Sequence, residues 1–205
     1  MKKILLEGTL KLVIGGIIIG VLHKYDSLLA VLLFLKIIHS IYKAKKNNTY
    51  SIIFIIGMIF TGLIGLLTEY IGTEYGHWQY HEVNTQLPNW LFFAWVGAFV
   101  LMYGIEAKIN LNYPNLTNKN KQLLVLFMAF FFPSLGEMIA INLGTWTYYW
   151  PYQILNLPLL AFFGLTVIHY LIHATLTLMS KKLNITDIVF NPMLLESIKI
   201  KQTTR

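Results

Sequence analysis

The sequence predicts an all-α, polytopic membrane bundle of about six transmembrane helices, built around an internal parallel repeat of two helical hairpins. Three observations predict it. Of 205 residues, 56% are hydrophobic and only 12% charged, with a mean hydropathy of +0.60, a composition outside the soluble globular range. Apolar stretches close to the ~20 residues that cross hydrocarbon as a helix recur along the chain. Finally, Glu69, Ile71, Gly76, Trp78 and Tyr80 recur 68 positions later (137 − 69) as Glu137, Ile139, Gly144, Trp146 and Tyr148. Leu87, Pro88, Phe92 and Phe93 recur just beyond as Leu157, Pro158, Phe162 and Phe163.

The first span covers residues 4–22. Lys2 and Lys3 before an apolar run imitate a signal peptide, but no small-residue cleavage pattern follows, and Glu7 and Lys11 interrupt the run, so an uncleaved helix is expected. The second, 27–43, contains Lys36 and His39; a lysine close to a helix end extends its amine to the interface. Neither span matches the repeat, and residues 1–48 read as an added helical pair. Span 49–71, an aromatic loop at 72–88 and span 89–108 make the first copy, residues 49–110. Span 122–143, the loop 144–156 and span 157–180 make the second, residues 122–180. Residues 181–205, with Pro192 and scattered lysines, carry no span and read as a cytoplasmic tail, so the whole chain, 1–205, is one integral membrane domain. Gly65 and Pro133 each stand four residues before their glutamate. Both residue types weaken a helix, which suggests a bend below each acid, and both are also common in membrane helices.

Charge sets the orientation. With a cytoplasmic amino terminus, the Lys and Arg residues flanking the spans all fall on the inner side except Lys24, which also accounts for the net charge of +7 without any nucleic-acid partner. Both termini are then cytoplasmic, the expected location is a bacterial cytoplasmic membrane, and the lipid bilayer is the expected partner. Both aromatic loops face outward. The absence of cysteine excludes disulfides, thiolate metal sites and cysteine nucleophiles.

The ionisable residues inside the spans carry the functional expectations. A carboxylate in a membrane helix faces the bundle interior, pairs, or takes up a proton, so Glu69 and Glu137 have two readings. Each pins its own loop by accepting bonds from Trp or Tyr, or each is a proton donor in an apolar cleft. His169 and His173 share a face of the last span at a spacing of four, which suits a hydrogen-bonding pair or a proton relay; further metal ligands are scarce, so no metal site is assigned. Trp78, Tyr80, Trp90, Trp146 and Tyr148 suit the membrane interface, where a ring sits in lipid and its polar atom in water. The interface reading leaves unexplained the fixed spacing of Trp78, Tyr80, Trp146 and Tyr148 from glycine and glutamate in both copies, and the same rings could also steady a cationic substrate. Glu106, near Lys108 at a span end, reads as a surface anchor, as do Glu74 and Glu82. Walker, dinucleotide, zinc-protease and serine-hydrolase signatures are missing.

The string from Glu69 to Tyr80, with Leu87–Pro88 and Phe92–Phe93, resembles membrane proteins of carotenoid biosynthesis over residues of about 60–100 and 128–175. It is similar to the carotenoid hydratase family, in which a helix-borne glutamate precedes a Gly-aromatic-Tyr loop, and to the lycopene cyclase domain family. The acids that the cyclase pattern places after the proline are replaced by Trp90 and Leu91 in one copy and Leu160 and Ala161 in the other. The resemblance implies a membrane enzyme, a lyase or isomerase, acting on an isoprenoid or carotenoid-like lipid. Protonation of a double bond by Glu69 or Glu137 would drive hydration, cyclisation or isomerisation, with no redox cofactor. A non-enzymatic scaffold or lipid-binding protein, or a small transporter, is the alternative expectation.

Overall fold

The structure is a computed structural model that describes residues 1–47 and 49–191. Pro192, Lys199, Lys201 and Arg205 of the expected tail lie outside the described residues. Six helices are long and apolar enough to cross a membrane: α1 (Lys2–Leu22), α2 (Asp26–Lys46), α3 (Ile52–Glu74), α4 (Leu91–Asn112), α5 (Asn118–Asn142) and α6 (Leu159–Lys182). Side-chain caps start two of them. Ser51 Oγ accepts from Phe54 N at 3.0 Å ahead of α3, and Thr117 Oγ1 from Asn120 N at 3.3 Å ahead of α5, each satisfying a backbone donor that the first turn leaves free. Asp26 does this at a distance. From the first turn of α2 its carboxyl accepts Asn89 N at 2.7 Å and Trp90 N at 3.3 Å, locking the start of α2 to the start of α4.

The helices pack in a bundle in which α3 lies on α4, α5 on α6, and α1 along α5, while α2 leans on α4. The added helical pair thus covers one side of the other four. Small residues let α1 approach α5: a Cβ at Gly16 would stand 3.0 Å from the Gly136 carbonyl oxygen. Spaces between helices fill with two main apolar clusters. One surrounds Trp78, Trp90, Trp146, Leu29, Leu157 and Phe162; the other joins Ile53, Phe54, Phe99, Tyr103, Leu176 and Phe190 at the opposite end.

Two segments depart from expectation. The aromatic loops contain short strands, β1 (Trp78–Tyr80) and β2 (Trp146–Tyr148), which pair antiparallel in the register Trp78–Tyr148, Gln79–Thr147 and Tyr80–Trp146. The chain reaches each strand through a glycine at positive φ, Gly76 at 68° and Gly144 at 88°, a conformation that L side chains resist. A second ribbon pairs β3 (Gln153–Ile154) with β4 (Leu157–Pro158) just before α6. Beyond α6 the chain does not run free. It turns back at residues 183–185 and buries Asp187, Val189, Phe190 and Asn191 against the bundle. The reason is local: the Asp187 carboxyl accepts Val189 N at 2.8 Å and Phe190 N at 2.9 Å, which ties a turn that presents Phe190 to Phe99 and Tyr103.

Candidate functional site

Glu69 lies five residues before the end of α3 and is buried at 8% exposure. Three donors converge on it. Trp78 Nε1 (2.9 Å) and Tyr80 OH (2.8 Å) donate to Oε2, and Trp95 Nε1 on α4 donates to Oε1 at 3.1 Å. Glycines on α3 provide the room, since a Cβ at Gly72 would overlap the Trp78 ring and one at Gly65 the Trp95 ring. Gly65 therefore serves a close approach one turn below its glutamate. The alternation of β1 explains why Trp78 and Tyr80 act together: residues two apart on a strand point to the same side, and here both turn inward while Gln79 is exposed.

Glu137 is the equivalent carboxyl on α5, half-buried, and among the described residues its hydrogen bond comes from Tyr148 OH at 3.1 Å. Nothing corresponds there to Trp95, because the position 70 residues on, following the Phe92-to-Phe162 offset, is Leu165. The two carboxyls share one aromatic cluster. Trp78 meets Tyr148 edge to face at 5.3 Å and 64°, and Tyr80 lies 5.5 Å from Trp146. Trp150 adds an edge to Trp78 at 5.5 Å, and Trp90 one to Tyr80 at 6.0 Å. The Trp90 Nε1 is buried without a hydrogen-bond partner among the described residues. Burial pushes the Tyr80 and Tyr148 phenols well above their ordinary range, and a negative charge on either carboxyl, Glu69 or Glu137, acts on each of them in the same direction. Both phenols thus stay donors, and both carboxyls lie within electrostatic reach of the same pair of hydroxyls.

Of the residues singled out from sequence, Glu69, Glu137, Trp78, Tyr80, Trp90, Trp146 and Tyr148 come together here. His169 and His173 do not. They face Glu106, with His169 Nε2 3.3 Å from Oε1 and His173 Nε2 3.2 Å from Oε2. The surface reading of Glu106 is corrected: it is 4% exposed, on the inward face of α4, whereas Lys108, two residues on, turns outward and pairs with Glu7. Glu74 and Glu82 are exposed as expected, Glu82 standing 3.4 Å from His23. Sequence reasoning also passed over Trp95 as an individual partner. The signal for Trp95 was present, since an indole on α4 opposite the small Gly65 of α3 has space to reach Glu69.

Among the described residues no group of three or more His, Asp or Glu is arranged to hold a metal ion. No family model, curated protein or solved structure matches the chain.

Proposed function

We propose that this protein is an integral membrane enzyme that protonates a double bond of an isoprenoid or carotenoid-like lipid at the Glu69–Glu137 centre. What carries this reading is the pairing of two carboxyls with one aromatic cluster through β1 and β2. An apolar exterior supports the membrane setting: Leu6, Leu10, Ile17 and Val21 on α1, Leu63 and Leu67 on α3, and Phe163 and Leu171 on α6 are all exposed, as lipid-facing side chains are. With the lysine-rich helix ends on the cytoplasmic side, the strands face outward.

The repeat is part of the proposal. In the β1–β2 register Trp78 faces Tyr148, the repeat partner of Tyr80, while Tyr80 faces Trp146, the repeat partner of Trp78. Such an exchange is what a two-fold axis through the Gln79–Thr147 pair requires. An axis of that kind sets Glu69 and Glu137 on opposite flanks of one cluster.

Their partners divide the work. Glu69 accepts three bonds and is held in place as an acceptor, whereas Glu137, with one, is the freer acid. Its O–H bond breaks as the π electrons of the terminal double bond form a C–H bond to that proton, leaving a tertiary cation on the substrate and a carboxylate on the protein. Rings of Trp78, Trp146 and Tyr148 face that cation with their negative quadrupoles. Water then adds and returns its proton to Glu137, or an adjacent C–H loses one and the double bond moves; either way no electrons are exchanged. Pigment and isoprenoid extracts from cells with and without the protein test this directly. Glu137→Gln is expected to abolish the change in extract with the helical content retained, and undiminished turnover in the Glu69→Gln/Glu137→Gln double variant overturns the mechanism.

One observation favours a second reading, a non-enzymatic scaffold. The three bonds to Glu69 are also what a brace between α3, β1 and α4 needs. On that reading both extracts are identical, and Glu69→Gln changes stability alone.

A further inference from the structure

A second polar centre lies away from the aromatic strands. Counting helical rise, Glu106 sits fifteen residues into α4 and Glu69 five residues from the end of α3, so the two are separated by about 15 Å along the bundle. Here α6 packs on α5 and α3, and its histidines reach α4 by their side chains. His169 and His173 approach different oxygens of the same buried carboxyl, with ring centroids 6.3 Å apart. A small cavity lies between Glu106, the two histidines, Phe99, Tyr103 and Phe190. The His169 Nε2 is buried and, although close to Glu106, makes no well-aligned hydrogen bond.

The returning chain closes this cavity. Phe190 meets His173 edge to face at 5.2 Å and 65°. Asp187, 2% exposed, accepts from Tyr103 OH at 3.0 Å and from Ser51 Oγ, so the turn that carries Phe190 is fastened to α4 and to the start of α3. The titratable groups facing the centre are therefore Tyr103 and Glu106 from α4, His169 and His173 from α6, and Asp187 from the returning chain; α3 brings Ser51 and apolar side chains.

We propose that Glu106, His169 and His173 form a second acid–base centre, independent of the aromatic site, whose ligand is an exchangeable proton, and that Asp187 and Phe190 form its cover. One carboxyl between two imidazoles is a place where a proton changes hands without any heavy atom moving far: an N–H bond to Nε2 of either histidine breaks as an O–H bond to Glu106, or an N–H bond on the other ring, forms. Proton supply or release is to water at the end of the bundle where the returning chain lies. With both imidazoles neutral, Glu106 in the cavity wall and Asp187, hydrogen-bonded to Tyr103 beside it, have no cation paired with them among the described residues. A proton on His173 sets a positive charge beside Glu106 and in contact with Phe190 of the turn that Asp187 fastens, so protonation holds the cover down and its loss as pH rises frees it.

Histidine side-chain ¹⁵N NMR of the full chain in detergent micelles, followed against pH, tests the centre. His169 and His173 are expected to titrate in two coupled steps, and His169→Asn to collapse them to one; two independent, identical titrations in the wild type overturn the proposal. Acylation by diethyl pyrocarbonate tests the cover. His173 in the wild type is expected to react at least tenfold more slowly near neutral pH than in Phe190→Leu or Asp187→Asn, with a rate that climbs more steeply with pH than for an exposed histidine. Equal rates in the wild type and both variants remove the cover, and the wild-type NMR titration decides the centre even where a variant fails to fold.

Discussion

Trp95 shows how one side chain separates two otherwise equivalent acids. Its indole gives Glu69 a third donor from a different helix, while Leu165 leaves Glu137 with the Tyr148 hydroxyl alone. Leaving an oxygen of the buried Glu69 without its donor costs about 1–3 kcal/mol. Trp95→Phe is therefore expected to lower stability by that order in a denaturant titration in micelles, whereas Leu165→Trp has no glycine opposite it to accept the ring, since Pro133 stands four residues before Glu137 as Gly65 does before Glu69. Phenols make the pH prediction. Tyr80 and Tyr148 are held above the ordinary value of 10.0 by burial first and carboxylate charge second, so unfolding lets them ionise. Their contribution to stability is complete below the ordinary phenol range and is lost progressively as pH rises above it toward the raised folded-state values. Melting temperatures should fall on the alkaline side, and the fall should be shallower in Tyr80→Phe and Tyr148→Phe, although both variants start lower at neutral pH. A steeper alkaline fall in either variant contradicts this assignment.

At the scale of elements the decisive pieces are three residues long. Short strands escape a reading based on periodicity, because three positions cannot distinguish a period of 2 from 3.6. The aromatic segments were legible as loops at one end of the bundle, but their antiparallel pairing comes from sequence positions 68 apart and from two glycines that turn the chain out of α3 and α5. Gly76→Ala and Gly144→Ala should each destabilise by roughly 1–2 kcal/mol, the cost of left-handed backbone for an L residue. Amide exchange at His81 and Tyr149, whose N–H groups bond across the ribbon to Thr145 and His77, is expected to quicken in both. Unchanged exchange would mean the glycines do not set the pairing. The helices, by contrast, were readable almost to their ends: the spans expected at 49–71, 89–108 and 157–180 stand as Ile52–Glu74, Leu91–Asn112 and Leu159–Lys182. The helix starts are displaced by three residues at Ser51 and by two at the turns of Pro88 and Pro158, where capping and turn geometry, rather than hydropathy, set the first turn.

Across the whole molecule, the chain's lack of cysteine makes introduced pairs informative. Cysteines replacing Gln79 and Thr147, opposite one another in the β1–β2 register, are expected to form a disulfide on oxidation, and Gln79 paired with Tyr149 to do so far less, read as mobility on non-reducing gels. Of single cysteines at Thr85 and at Asn112, one is expected to react with an impermeant maleimide in intact cells and the other only after the membrane is permeabilised. Labelling of both from the same side would undo the six-span arrangement. Amino-acid order alone determined that six apolar helices form, because a helix is the only open-ended structure whose backbone bonds close within its own segment, and it determined that Glu69 and Glu137 precede matched aromatic runs. That each acid accepts from its own loop was one of two readings open in the sequence, and the third donor to Glu69, Trp95 of a neighbouring helix, was left to the tertiary structure. Glu106 reads as a surface charge from its neighbour Lys108, and Asp187 as part of a polar tail, until packing turns one toward His169 and His173 and fastens the other to Tyr103. A side chain's face on its helix is local, but the partner brought against that face depends on how every other helix packs.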